Sequence, residues 1–337
     1  TLYFGMISTA ISHPNKAIVI YWGNEDDRLN IPSRVSLSMT LRGINQELDY
    51  TVTIKTSKDA DRDKVIIDGH EDKGEIYNGF VRHLDSMREY TGLKDKLVVA
   101  TKKTFPIGSG LAGSAAAASA LAEAFAGLFH DRMDKDQISR MARRGSGSAA
   151  RSVFGGYVKL QKGNDDKSFA VQLWDEGHWD LRDVIAIVDS GPKRVRSRDG
   201  MRLSTQTCPA KMYSEFVAIA AEHLKEAGDA IASRELERLG RAYEQDNLFF
   251  RKVCMNTTPP LDYWSAATVD VFDAVKELRM EGVPVFAGTD AGPNAHILVE
   301  PRNAMKVIDR IQGLEGVKGV IHSRPGGGSH RLQVHLL

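Results

Sequence analysis

The 337-residue chain has only two cysteines, Cys208 and Cys254, too few for a disulfide framework or a metal cluster. They read as two reduced thiols of a cytoplasmic protein. No apolar run approaches the ~18–20 residues that cross a bilayer, so no membrane span is expected. The net charge is +1, which gives no global field to attract nucleic acid. Internal repeats, low-complexity linkers and heptads are also missing. What remains is 42% apolar and 26% charged residues, ordinary for a globular protein and ample for a core. The length suits one large α/β domain or two closely packed lobes. "TLYFG" before Met6 resembles part of a protease-site linker and is set apart from the fold.

Strand signals are "AIVIYW", "VSLSMTL", "YTVTIKT", "KVIIDG" and "LVVATKK", short runs rich in β-branched residues. Residues 74–90 place Ile76, Phe80, Leu84 and Met87 on one helical face. "GSGLAGSAAAASALAEAFAGLF" opens glycine-rich and continues as an alanine-rich helix. "DKDQISRMARRGSGSAARSVFGGYVKL" reads as helix, Ser/Gly loop, short helix and strand, followed by strands at "VQLW" and "DVIAIVDS". Helices are expected over roughly Pro209–Ala227, Ser233–Cys254 and Thr268–Glu281, and at "RNAMKVIDRIQGL". "VPVFAGTD", "HILVE", "GVIHS" and the terminal "QVHLL" read as strands. Strands and helices mix without strict alternation, which predicts an α+β protein. A boundary falls near residues 190–208, giving lobes over 6–190 and 191–337.

Three motifs bear chemistry. In "PIGSGLAGSAA", Gly108, Ser109 and Gly110 let backbone N–H groups approach an anion, and Ser114 opens the following helix. No Lys-Ser/Thr follows the glycines, so this is not a Walker loop; a tight turn before a buried helix fits equally. In "GSGSAARSVFGG", Ser146, Gly147 and Ser148 can meet anionic oxygens, and Arg151 offers a planar fork for a carboxylate. A helix-capping loop with Arg151 on the surface is the alternative. In "GTDAGPNAHI", Asp290 sits where a strand passes into a loop, as a catalytic carboxylate or a turn cap.

Together, these motifs and their order resemble the diphosphomevalonate decarboxylases of the GHMP superfamily. That family typically shows "HPNIALIKYWGKRD", where this chain has "HPNKAIVIYWGNED"; "FPTAAGLASSAA", here "FPIGSGLAGSAA"; "SGSACRSLFGG", here "SGSAARSVFGG"; and "DAGPN", intact here. The likeness runs over nearly all of residues 6–337. It implies the GHMP-kinase-like two-lobed fold, with an N-terminal lobe like ribosomal protein S5 domain 2 and a ferredoxin-like C-terminal lobe. It makes Asp290 the catalytic aspartate and Arg151 the holder of the substrate carboxylate, with Asn15 near the reacting centre. Tyr21, Ser146, Gly147 and Ser148 then line the substrate's phosphate chain. "VRSRDGM" looks like the family's "VSSRSGM", which puts Ser197 and Arg198 on the 5-phosphate. Arg196 is either an added cation there or a solvent-facing arginine. Relatives are usually homodimers.

The pattern breaks at two lysines that flank "YWG" in the family, replaced here by Ile20 and Asn24, and at Gly113, which stands for a serine. Lysines there would neutralise nucleotide phosphates. Lys16 shares a regular strand's face with Ile20 but lies ~13 Å away along it, and reads as a surface lysine. The expectation is therefore a carboxy-lyase that needs no cofactor and binds no metal. It is most like the archaeal members that convert mevalonate 3,5-bisphosphate to isopentenyl phosphate, CO2 and phosphate. The alternative is an ATP- and Mg2+-dependent decarboxylase of mevalonate 5-diphosphate or 5-phosphate. A small-molecule kinase of the same fold and an inactive metabolite-binding member are the remaining readings. Nucleic acid and membrane are not expected partners.

Overall fold

The computed structural model describes residues 7–45, 48–58, 60–105, 113–129, 132–189, 191 and 194–337. The "TLYFG" segment and the loop with Gly108, Ser109 and Gly110 lie outside the described residues. The strands are β1 (Ile7–Ser12), β2 (Asn15–Val19), β3 (Asn24–Asp26), β4 (Ile31–Pro32), β5 (Ser36–Gly43), β6 (Tyr50–Ser57), β7 (Lys64–Ile67), β8 (His70–Asp72), β9 (Lys96–Lys103), β10 (Tyr157–Leu160), β11 (Ala170–Trp174), β12 (Arg182–Ile187), β13 (Val285–Thr289), β14 (Ala295–Val299), β15 (Gly319–Pro325) and β16 (His330–Leu332). The helices are α1 (Glu75–Thr91), α2 (Gly113–Gly127), α3 (Lys135–Gly145), α4 (Ala149–Ser152), α5 (Ser197–Thr207), α6 (Ala210–Ser233), α7 (Leu236–Met255), α8 (Ala266–Met280) and α9 (Pro301–Gln312).

Two large sheets carry the molecule. One runs β16-β1-β6-β9-β7-β8, antiparallel except where β7 lies parallel to β9. The other runs β11-β10-β5-β15-β12-β14-β13, with β2 also paired to β5. The alanine-rich α2 packs on β1 and β6. Its small side chains allow that close approach, and Gly127 completes it, since a Cβ there would lie 2.2 Å from Ser8 Oγ. Leu37, Met39 and Leu41 of β5 enter the main core. Ser36, Ser38 and Thr40, on the opposite face, are just as buried. α3 begins with a capping box between Asp134 and Gln137. A second apolar cluster joins β12, β13 and β14 to α8 and α9. No helix among the described residues is long and apolar enough to cross a membrane.

Three local expectations differ from the structure, and one helix was not expected. The strand expected through Trp22 is β2, which ends at Val19 after a register shift at Ala17/Val19. Ile76 is exposed, because α1 rests on Phe80, His83, Leu84 and Met87. The terminal strand is β16, ahead of "QVHLL", where Arg331 and His330 pair with Ala10 and Ile11. Finally, "SRDGMRLSTQT" is the helix α5, with Met201 and Ser204 as its buried stripe.

Candidate active site

The site forms along β2, whose neighbouring residues Asn15 and Lys16 point to opposite faces. On one face, Asn15 meets α4. Its Nδ2 donates to the Ser148 carbonyl at 3.0 Å and to Ser152 Oγ at 2.7 Å. Its Oδ1 accepts from Arg151 Nη2 at 3.1 Å. Arg151 also donates from Nε to Ser38 Oγ at 2.8 Å and from Nη1 to Ser36 Oγ at 2.6 Å. A guanidinium has five N–H groups, so one remains on each terminal nitrogen, the fork that a carboxylate accepts. All three partners are neutral, which leaves the positive charge uncancelled. Burial pulls Arg151 down to about 10, against the influence of Asp290 and Tyr21, so it stays charged at neutral pH.

On the other face, Lys16 is completely buried, and its Nζ donates to Asp290 Oδ1 at 2.9 Å. The ammonium also stands 5.2 Å from the centre of the Tyr243 ring on α7. Asp290 follows β13, which α7 clamps: Thr289 N donates to Asn247 Oδ1 at 3.1 Å, and Asn247 Nδ2 to the Thr289 carbonyl at 2.5 Å. Gly288 permits this approach, because a Cβ there would lie 2.7 Å from Tyr243 Oη. Beyond Asp290, Asn294 ties the loop to β12's end by accepting from Val188 N at 2.8 Å. The Asp290 side chain keeps 21% of its surface exposed, whereas that of Lys16 keeps none.

Tyr21 lies against Gly147, where a Cβ would come within 2.1 Å of its hydroxyl. Burial pushes its phenol above the ordinary range, against the pull of Arg198, Arg151 and Arg143. Its hydroxyl donates to Asn24 Oδ1. Ser146 and Ser148 bring their Oγ atoms to 3.3 Å in the loop between α3 and α4. Ser197 and Arg198 open α5, which Trp22 anchors by donating to Ser204 Oγ at 2.9 Å. Arg198 Nη2 donates to Asn30 Oδ1 at 3.1 Å, and Asn30 donates in turn to the Arg143 and Arg144 carbonyls. Arg198 is therefore tied to the end of α3 through Asn30, and its charge reaches Tyr21.

The structure thus gathers Asn15, Arg151 and Asp290 beside β2, with Tyr21, Ser146, Gly147 and Ser148 around the loop that enters α4 and Arg198 linked to the end of α3 through Asn30. Ser114 is exposed at the second position of α2 and makes no hydrogen bond to this group among the described residues. Arg196 pairs with Glu75 at the surface, which settles it as solvent-facing.

Lys16 is the principal correction. It is no surface lysine: it occupies the one charged position of a wholly buried strand, "NKAIV". Ile20 is 4% exposed among Trp22, Met201 and Phe250, and its N–H donates to Asp246 Oδ2 at 2.7 Å. The structure places a buried cation against Asp290 from position 16, which motif alignment at "YWG" could not reveal. Ser36 and Ser38 were also missed as Arg151's supports, although their alternation with Leu37 and Met39 marks a polar strand face.

Residues 12–170 match the family model described as the diphosphomevalonate decarboxylase-like N-terminal domain, and residues 183–328 that of the mevalonate 5-diphosphate decarboxylase C-terminal domain. The diphosphomevalonate decarboxylase of Debaryomyces hansenii is 30% identical over 318 residues, 89% of this chain and 81% of that one. The crystal structure of mevalonate diphosphate decarboxylase from Staphylococcus aureus superposes with a TM-score of 0.91 at 30% identity, over 97% of this chain and 98% of that one. The MDDEF complex with MVAPP, AMPPCP and magnesium gives 0.90 at 27%, over 98% and 99%. The two-lobed α+β fold implied by the motifs is thereby shown. The expectation that no cofactor is required is overturned: that solved relative holds a nucleotide analogue and magnesium together with its mevalonate substrate. The loss of a lysine at Ile20 does not by itself mark the loss of a nucleotide, and the lysine at position 16 is buried rather than at the surface.

Proposed function

Because the chain belongs to the diphosphomevalonate decarboxylase family, we propose that it is a carboxy-lyase converting mevalonate 5-diphosphate to isopentenyl diphosphate, with ATP and Mg2+ consumed as in its relatives. The observation that carries this reading is the free fork of buried Arg151, braced by Asn15, Ser36 and Ser38 and close enough to Asp290 for that carboxylate to favour its charged form.

The residues fit a nucleotide. Ser114 is exposed in the first turn of α2, and a helix N-terminus favours phosphate. Lys16 has a single hydrogen-bond acceptor, Asp290, among the described residues. No group of three or more His, Cys, Asp or Glu that could hold a metal occurs among those residues, so magnesium would be bound through phosphate oxygens. ATP supplies the phosphoryl group that makes the 3-oxygen a leaving group.

The chain's own contribution is placement and charge. Arg151 grips the substrate carboxylate and aligns the breaking carbon–carbon bond with the emptying orbital at C3. Asp290 first accepts the 3-hydroxyl proton and then faces the positive charge that develops at C3. Ser146, Ser148, Tyr21, Ser197 and Arg198 hold the 5-diphosphate.

Purified protein given mevalonate 5-diphosphate with ATP and Mg2+ is expected to release CO2, ADP and phosphate in equal amounts. No release from that mixture, with CO2 instead released from mevalonate 3,5-bisphosphate when nucleotide and Mg2+ are removed, overturns the reading.

A further inference from the structure

We propose that Lys16 is a catalytic residue, whose ammonium contacts the C3 oxygen of the substrate and the phosphoryl group it carries. This rests on the decarboxylase reading above and extends it to a position where the family pattern has isoleucine.

The argument begins with burial. Lys16 shows no surface, sits in a five-residue strand of buried positions and carries three N–H donors. One is engaged by Asp290 Oδ1 at 2.9 Å, and the centre of the Tyr243 ring lies 5.2 Å from the ammonium. Asp290 is its only hydrogen-bond acceptor among the described residues. A sealed ammonium with unmatched donors carries a large desolvation penalty. A substrate oxygen at the accessible Asp290 carboxylate would supply the missing acceptors.

A purely structural clamp is a poorer account. Among the described residues, Asn247 is matched on both its oxygen and its nitrogen by Thr289, and Asn294 accepts from Val188 at the end of β12. Asn247 already fixes the backbone of β13 at Thr289, so Lys16 acts on the Asp290 side chain instead. What it adds is a fixed positive charge beside the carboxylate that faces the reacting carbon.

The chemistry needs such a charge twice. In phosphoryl transfer, the O3–P bond forms as the bond from phosphorus to the ADP oxygen breaks, and the 3-hydroxyl proton passes to Asp290. Lys16 donates a hydrogen bond to O3 as its charge rises. In elimination, the C3–O3 electron pair leaves with phosphate, which takes the proton back from Asp290. The electrons of the bond to the carboxyl carbon become the C2=C3 double bond, and CO2 departs. Lys16 keeps its own proton throughout and is worth most when charge collects on the leaving oxygen.

The test compares Lys16→Met and Lys16→Arg with wild type, using mevalonate 5-diphosphate and ATP with Mg2+. Lys16→Met preserves length without charge. It is expected to lower kcat about 10²–10³-fold, the range for loss of one preorganised donor, with KM for mevalonate 5-diphosphate within about threefold. Lys16→Arg restores the charge and is expected to recover at least about tenfold of that loss. Near-wild-type kcat in Lys16→Met overturns the proposal. So does an equal fall of kcat in both variants accompanied by an equal fall in melting temperature, which marks a structural role. If Lys16→Met does not fold, Lys16→Gln takes its place under the same criteria. Absence of turnover in wild type would refute the decarboxylase reading itself, and so separates the two failures.

Discussion

The two faces of β2 solve one problem, keeping a cation buried, in opposite ways. Arg151, reached through Asn15, is surrounded by neutral oxygens from Asn15, Ser36 and Ser38. Lys16, one residue along, is matched to a carboxylate. Neutral partners orient a charge without cancelling it, so the Arg151 side is suited to gripping an anion. An ionic partner lowers the net charge and leaves direction, so the Lys16 side is suited to acting on a bond whose polarity changes during reaction. Asn15, which holds Arg151, and Lys16, which holds Asp290, are successive residues of one strand, so the two cations are set on opposite faces of it.

The sharpest way to break this contrast is to remove the anion from the lysine side. Asp290→Asn is expected to retain the fold and lower kcat by about 10³-fold or more, measured as CO2 release. Near-normal turnover would show that both faces merely bind. Next comes Arg151→Lys, which keeps the charge but loses the planar fork. A fall in kcat/KM of about 10²-fold is expected, carried mainly by the substrate carboxylate. Full activity would mean that charge alone suffices on this face.

Acidification probes the arginine side separately. His83 of α1 lies beneath Gly145, just before the Ser146–Ser148 loop, and donates from Nε2 to the Met141 carbonyl at 2.8 Å. Burial holds its imidazole down at about 4. The unfolded chain takes up the proton near ~6.5, so it binds more protons than the folded chain between these values. The contribution of neutral His83 is complete above about pH 6.5 and is lost as pH falls toward 4, roughly 3 kcal/mol in all. His83→Gln should flatten the acid limb of melting temperature against pH; an unchanged limb would assign it to other groups. The smallest effect is expected from Asn15→Ala. Arg151 keeps two serine partners, so kcat/KM should drop by about tenfold, the low end of the ~1.5–3 kcal/mol of one hydrogen bond to a charged group.

Much of this site is legible in the amino-acid order alone. The serine loop with Arg151 and the "DAGPN" turn carry distinctive spacing, and both border the same strand. The long helices are legible as well, since α2, α6, α7 and α8 have strong local composition or periodicity. α5 escapes such a reading because "SRDGMRLSTQT" presents only a narrow buried stripe, Met201 and Ser204, and depends on Trp22 for its seat. The end of β2 escapes it because an apolar run does not show where pairing stops.

Lys16 is the clearest division between the two kinds of information. The order of motifs, the alanine-rich helix and the pairing of an arginine loop with an aspartate turn follow from residues near one another in the chain, and the sequence by itself determined them. Whether a lysine at position 16 meets water or a carboxylate depends on what α7 and the end of β13 place opposite it. Those segments come from the other end of the chain, and burial and partner choice are decided only when they pack, so only the tertiary structure could make Lys16 part of the site.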